Sequence, residues 1–353
     1  MTDLRSFRPE RILVCQLRQI GDVLLTTPSI RLLHERYPNA AIDVFTEKKC
    51  VPVLENNPHI RRVWALDRKA LPNFLAELRY YARIARENYD LVVDFQQLPR
   101  CRFVTLLSRA KVRLTYPPPW YNRLLYTHWA KPKPGYSGTF RASILAPLGI
   151  TWSGQAPELF LTEDEKRWAA DYLDGFGLAP GAFITLDPTH RRTTRLWPAR
   201  HYGALIERVH AARPDLRFFI LYGPGEEAMA RDVLDQCPVP GACVLPDKVI
   251  GLRQMAAVQS LARMHVGNCS GPRHFAVSVN TPTLTILGAT GGAWRFPSDT
   301  HTDIFEDLPC RPCNENFCSR KDHACLENLS PERVASRLLE LIASYEPSLL
   351  HTD

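Results

Sequence analysis

The chain has 353 residues, and domains of about 100–200 residues make two the expected number. No apolar stretch approaches the ~20 residues of a membrane-spanning helix, and the N-terminal run RILVCQL is too short and too strand-like for a secretory signal, so the chain is expected in the cytoplasm with its ten cysteines reduced. An excess of 44 Lys and Arg over 37 Asp and Glu, a net charge of +7, favours anionic partners without choosing among nucleic acid, phospholipid surface and phosphosugar.

In chain order, RILVCQL, AIDVFTE, VWALD and DLVVDFQ are short apolar runs, and TTPSIRLLHERYP and ALPNFLAELRYYARIARENY between them carry apolar residues at helical spacing. Such alternation predicts a parallel sheet. The stretch YPPPWYNRLLYTHWAKPKPGYSGT, with clustered prolines, aromatics and lysines, reads as a long irregular surface loop. A linker follows, then a helix opened by the capping pattern from Thr162 to Glu165. Strands AFITLDP, RFFILYG, ACVLPD, HVGNCS and PTLTILGA then alternate with helical segments such as ARHYGALIERVHAARP. This is a second doubly wound domain, whose ligands bind beyond the carboxyl ends of its strands, and the two domains are expected to face each other across a cleft.

The opening turn QLRQIGDVLLTTP offers only Gly21 where a dinucleotide fingerprint needs several glycines, which disfavours a nicotinamide or flavin enzyme. Asp22 reads either as an N-cap or, from a strand's carboxyl end, as a general base, and both roles fit one loop. In the second half, a strand ends at Gly267, the small polar residues Asn268 and Ser270 follow, and Gly271 and Pro272 open a helix. The first N–H groups of such a helix attract phosphate, though a tight turn without a ligand has the same sequence.

Together, LRQIGDVLLTTPSIRLLHERYPNAAIDVFT and GNCSGPRHFAVSVNTPTLTILG resemble the signature regions of glycosyltransferase family 9, the ADP-heptose:lipopolysaccharide heptosyltransferases. RLWPARHYGAL is similar to the family's basic-x-Trp-Pro element, LYGPGEEAMA to its glycine turn followed by glutamate, and CRPCNENFCSRKDHACLENLSPERV to the cysteine-bearing tail of several members. The resemblance implies an α/β fold of GT-B type. Residues 1–160 would form an N-terminal Rossmann-like acceptor domain, 161–330 a nucleotide-sugar domain with a cysteine-rich segment at 310–325, and 331–353 a C-terminal helix returning to the N-domain. It further implies a single inverting displacement with Asp22 as the base and no cofactor required for catalysis. Arg195 falls on the family's basic residue at the donor diphosphate, and Thr193 and Thr194 would add hydroxyl donors there. Glu226 falls on the carboxylate near the donor ribose, although a glutamate at a helix start needs no ligand. Ser270, Gly271 and His274 match the element that holds the diphosphate. One departure stands out: the family usually has aspartate at Cys269, where it is expected to contact the donor sugar, and a thiol is a weak hydrogen-bonding group.

Cys310, Cys313, Cys318 and Cys325, with His323 nearby, offer four thiolates for structural zinc or iron. Free thiols or a disulfide are the open alternatives. The acceptor implied by the family is the inner core of lipopolysaccharide, which carries carboxylates and phosphates, so Gly21 and the basic residues Arg61, Arg62, Arg123, Lys131 and Lys133 are candidates to meet it, though any one of the five basic residues reads more readily as a solvated surface charge. Contact with the cytoplasmic face of the inner membrane would account for the basic bias and exposed aromatics together. No dense basic helix points to nucleic acid. The other readings of the chain are a transferase using a different nucleotide-sugar and a non-catalytic nucleotide-sugar or metal-binding homologue.

Overall fold

Short apolar runs that alternate with amphipathic helices satisfy their backbone groups by pairing side by side, and here they do so twice. The computed structural model describes residues 4–349, and the chain divides into two units at Phe160 and Leu161. In the first, β1 (Arg11–Cys15), β2 (Ala41–Glu47), β3 (Arg62–Leu66), β4 (Leu91–Asp94), β5 (Val112–Thr115) and β6 (His128–Trp129) form one sheet in the order β3-β2-β1-β4-β5-β6. Every pairing is parallel, with Val14 opposite Val44 on one side and Val93 on the other. Helices on both faces leave the central strand no solvent side, which is why Ile12 to Cys15 are all apolar and fully buried.

The second unit repeats the plan. Strands β7 (Phe183–Asp187), β8 (Arg217–Ile220), β9 (Cys243–Val244), β10 (Met264–Asn268), β11 (Thr283–Leu287) and β12 (His301–Phe305) pair in the order β12-β11-β10-β7-β8-β9, again all parallel. Trp197, fully buried, is the largest side chain of its core, and its indole N–H donates to the Leu329 carbonyl at 3.0 Å. The helix Pro331–Leu349, expected on the N-domain, instead lays Val334, Leu338, Leu341 and Ile342 into the second unit's core against the helix Ala199–Ala212. The last four residues of the 331–353 segment lie outside the described residues.

In each sheet the chain winds outward in one direction, then jumps back past its first strand and winds the other way. The connections leaving β1 and β4, and those leaving β7 and β10, therefore diverge and leave a crevice beyond the strand ends. The proline-rich stretch differs from expectation. It holds a 3₁₀ turn at Trp120–Leu125, the edge strand β6 and a short helix at Ser137–Ala142. A two-residue strand carries no visible periodicity, and long-range contacts fix it instead: Arg113 N donates to Thr127 Oγ1 at 2.9 Å and Tyr126 OH to the buried Asp94 at 2.6 Å.

The helix Glu163–Asp174 opens as its sequence predicts, with Thr162 capping Glu165 N and Glu165 reaching back to Thr162 N. The same carboxylate takes a two-pronged bond from Arg253 on the neighbouring helix Leu252–Ser260, at 2.5 and 2.7 Å. Arg253 above all holds the Glu165 pKa down at about 2. A depressed carboxylate contributes stability that is present above its ordinary pKa and lost as pH falls toward the folded value. Glu165→Gln should therefore cost on the order of 2 kcal/mol at pH 7, and denaturant midpoints of variant and wild type should converge between about pH 4.5 and pH 2.

Candidate active site

In the first unit, the crevice at the β1/β4 reversal is lined by Arg18, Gln19, Asp22, Gln96 and Leu98. Asp22 is not the N-cap of its short helix Ile20–Leu24. Gln19 holds that position, and Asp22, in the first turn, accepts from Gln19 N at 3.1 Å through Oδ2. Its other oxygen, Oδ1, accepts from Arg141 Nη2 at 2.5 Å, and the guanidinium is itself nearly inaccessible. Arg141 is braced in turn by the Ser137 carbonyl at 3.1 Å. The carboxylate is thus held by two donors, while about a quarter of its side chain still faces solvent. Such a group accepts a proton without having to reorient. Arg141 lies 119 positions from Asp22, so no local pattern announces it.

The crevice's other wall depends on Asp94, the last residue of β4. Its Oδ1 accepts from the backbone N–H groups of Gln96 and Gln97 at 2.9 and 2.8 Å, and Gln96 Oε1 accepts from Leu17 N at 2.9 Å. Burial pushes the Asp94 pKa up, while Tyr126 and these amides pull against it.

In the second unit, the loop leaving β7 carries His190, Arg191, Arg192, Thr193, Thr194 and Arg195. Arg195 sits in a 3₁₀ turn, half-buried, and its Nε has no hydrogen-bond partner among the described residues. Burial lowers its pKa. His190 is pushed down to about 4 by burial first and then by Arg195 and Arg192, so the imidazole is neutral at physiological pH. An unpaired guanidinium in a partly desolvated loop is a site for a bidentate anion. Thr193 is exposed, but Thr194 is buried and its hydroxyl donates to the Glu315 carbonyl at 2.9 Å. Thr194 is therefore committed to the fold and not available to a phosphate.

The loop leaving β10 meets this one. Asn268 Oδ1 accepts from Trp197 N at 3.1 Å, and Ser270 Oγ donates to Asp187 Oδ2. Gly267 is required here, because a Cβ would come within 2.5 Å of the Asp187 carbonyl. Gly271 has open space where its side chain would be, and His274, buried, has its ring 6.0 Å from that of Trp294. Glu226 is the N-cap residue of the helix Glu227–Asp235, accepting from Gly223 N at 3.0 Å and Thr189 Oγ1 at 2.7 Å. Both bonds go to one oxygen, which ties the glycine turn down and leaves Oε1, among the described residues, with Arg191 3.6 Å away. Cys269 is buried, and its sulfur accepts from Arg273 Nη1 at 3.5 Å while Arg273 pairs with Asp303 at 3.0 Å.

Among the residues read as acceptor-facing, Arg61 and Arg62 are taken. Arg61 forks onto the buried Asp43 at 2.8 and 2.7 Å, and Arg62 pairs with Glu87 at 2.8 Å and lies over the Trp64 ring. Their charges answer Asp43 and Glu87 within the fold. Gly21 lies next to Asp22 in the short helix, and Arg123, Lys131 and Lys133 are exposed.

A family model described as glycosyltransferase family 9 (heptosyltransferase) matches residues 78–324. The chain belongs to glycosyltransferase family 9. It is an enzyme of glycosyl transfer with the two-domain GT-B fold. It is 27% identical to lipopolysaccharide heptosyltransferase 3 of Escherichia coli over 284 residues, covering 78% of this chain and 82% of that protein. Among solved structures, a family 9 glycosyltransferase from Veillonella parvula superposes with a TM-score of 0.82 at 20% identity, covering 97% of this chain and all of that one. An E. coli heptosyltransferase solved with ADP-2-deoxy-2-fluoro heptose superposes with a TM-score of 0.70 at 18% identity, covering 94% and 99%.

The family's cysteine tail has a definite place. Cys310, Cys313, Cys318 and Cys325 border one cavity together with Arg311 and His323, and all four are free thiols. Among the described residues, no three Cys, His, Asp or Glu side chains are arranged to hold a metal ion. What the segment does in this structure is brace the loops above. Arg311 donates to the Gly288 carbonyl at 2.6 Å and to the Thr290 carbonyl at 3.1 Å, Asn314 N donates to the Ala289 carbonyl at 2.9 Å, and Glu315 receives Thr194.

Asp187 escaped the sequence reading. It ends β7, is only 2% exposed, and burial, reinforced by Glu226, raises its pKa to about 7 despite the Ser270 bond. For a carboxyl raised by folding, stability is highest while the group stays protonated and falls as pH rises from its ordinary value to the folded one. Wild-type stability should therefore decline from about pH 4 to about pH 7, and Asp187→Asn should flatten that slope in thermal melts taken across the range.

Proposed function

We propose that this chain transfers heptose from ADP-heptose to the inner core of lipopolysaccharide with inversion at the anomeric carbon, Asp22 serving as general base. The observation that carries the reading is the Asp22 carboxylate, held by Gln19 N and Arg141 at the mouth of the crevice in the first unit. In the displacement, the acceptor oxygen forms the new bond to C1 as its proton passes to Asp22, and the bond from C1 to the β-phosphate oxygen breaks. ADP departs with the electron pair. No covalent glycosyl-enzyme forms, so one base suffices. Arg195 neutralises charge on the leaving diphosphate, and Thr193 and the loop at Ser270 and Gly271 frame it. Glu226 and His274 support this loop region, while Lys131 and Lys133 face the anionic acceptor. The acceptor's lipid anchor would place the enzyme at the cytoplasmic face of the inner membrane.

A donor sugar other than the family's heptose is favoured by one observation. Cys269 stands where the family pattern reads aspartate, and its sulfur is engaged with Arg273.

Calorimetric titration with ADP-heptose, ADP-glucose and ADP, followed by acceptor-dependent ADP release, tests both readings. Asp22→Asn should lower kcat by about 10²–10⁴ while leaving donor Kd within a few-fold, since a base acts on the acceptor proton. Arg195→Ala should weaken donor and ADP binding alike, by roughly tenfold or more. Tighter binding of ADP-glucose than ADP-heptose moves the donor assignment, and binding of no ADP species overturns it.

A further inference from the structure

Between Asp94 and Glu158 the chain has no Asp or Glu at all, yet nine Lys and Arg. This acid-free segment therefore carries more positive charge than the whole protein's net +7. At its centre is the 3₁₀ turn Trp120–Leu125, entered through Pro117, Pro118 and Pro119, which fix the approach. The turn is nailed down by its inward residues: Asn122 and Tyr126 are both buried. Its outward residues are unusual for a water-facing surface. Trp120 is 81% exposed, Tyr121 60% and Leu124 96%. With three residues per turn, Tyr121 and Leu124 lie one above the other, and the Trp120 ring meets Tyr121 edge-on at 5.8 Å. Arg123, exposed between them, has no carboxylate partner among the described residues. The helix Pro99–Ser108, which packs beside the turn, ends in exposed Leu106 and Leu107 and is followed by exposed Arg109 and Lys111.

A folded domain gains nothing from leaving indole, phenol and isobutyl groups in water on a rigid turn, and a stiff tip of this kind is available for burial elsewhere. We propose that the Trp120–Leu125 turn is an interfacial anchor that inserts into the headgroup region of an anionic bilayer. The chemistry matches on both counts. Indole and phenol rings favour the headgroup layer, where an apolar body and a polar edge are both satisfied. Arginine and lysine around them are drawn to the negative surface of the leaflet, each adding attraction within a Debye length. The absence of any carboxylate across the segment is what such a surface demands, because a single acid near the tip would oppose it.

The anchor is also coupled to the candidate site. Tyr126, which ends the turn, donates to Asp94, and Asp94 holds the Gln96 amide in the wall of the Asp22 crevice. Docking at the turn would thus bring that crevice to the bilayer surface. This deepens the proposed reaction with a lipid-borne acceptor, but its test uses neither donor nor acceptor, so failure of one is told from failure of the other.

The full chain is spun with phosphatidylcholine vesicles and with phosphatidylcholine vesicles containing phosphatidylglycerol, at low and high salt. Wild type should sediment with the anionic vesicles, weakly with the neutral ones, and less at high salt. The double variant Trp120→Ser, Leu124→Ser should lose about tenfold in partition coefficient, and Arg123→Gln about fivefold at low salt. All three side chains are exposed, so the variants should melt with wild type. Wild type left in the supernatant with anionic vesicles, or a double variant that sediments as wild type does, overturns the proposal. So does a wild-type dimer in solution that the double variant abolishes while vesicle binding stays unchanged, since the turn would then be a protein interface.

Discussion

Parallel pairing of β1 with β4 and of β7 with β10 is the constraint on which the rest depends. Where the winding reverses, the two outgoing connections part, and the backbone groups at the strand ends lose their sheet partners. Each unit answers with a buried carboxylate at that point. Asp94 ends β4 and gathers the Gln96 and Gln97 amides with Tyr126; Asp187 ends β7 and gathers Ser270 from the loop after β10. A buried carboxylate is costly unless its oxygens are occupied, and in both units burial raises the pKa while hydrogen bonds resist. The loops that carry Asp22 and Arg195 are shaped around these two anchors.

Strand and helix alternation was legible because a doubly covered parallel strand must be apolar throughout and a covering helix must be apolar on one face. β7 and β11 fall within the runs that predict them, and β10 begins one residue before its run. The elements that did not show are those whose stability comes from distant partners. β6 has two residues and depends on β5 and Asp94. The site divides the same way. Asp22 stands out as an acid in a glycine turn, and Arg195 as a base before Trp-Pro, because both are local oddities. Arg141 and Asp187 do not, since an arginine in a helix and an aspartate at a strand end are ordinary until the fold sets them beside Asp22 and Ser270.

Charge alone does not decide Arg61 and Arg62. Adjacent arginines next to a strand suggest an anion site, but Asp43 on β2 is fully buried and already bonded to Trp64 and Tyr89. A carboxylate so placed requires a full positive charge, and Arg61 supplies it. The cysteine tail is a comparable case. Four thiols in a short segment suggest a ligand set, whereas the backbone and Arg311 of that segment carry its visible role as a brace for residues 288–290 and Thr194. Gly288 makes this bracing possible, because a Cβ there would collide with the Thr194 carbonyl.

Cys269 bears on how the second unit distributes its charge. Arg273 and Asp303 already neutralise each other, with 2% and 7% of their side chains exposed. An aspartate at 269 would set a second carboxylate against that guanidinium and oppose part of the field from Arg192 and Arg195. The thiol does neither. The β7 loop therefore keeps its positive charge, offset mainly by Glu226, whose hydrogen bonds are spent on Gly223 and Thr189. In the proposed donor site this strengthens attraction for the diphosphate and gives up a charged acceptor for sugar hydroxyls. Hydrogen bonds to a carboxylate are roughly twice as strong as neutral ones, so the substitution moves binding energy away from the part of the donor that distinguishes one sugar from another and toward the part that all ADP-sugars share.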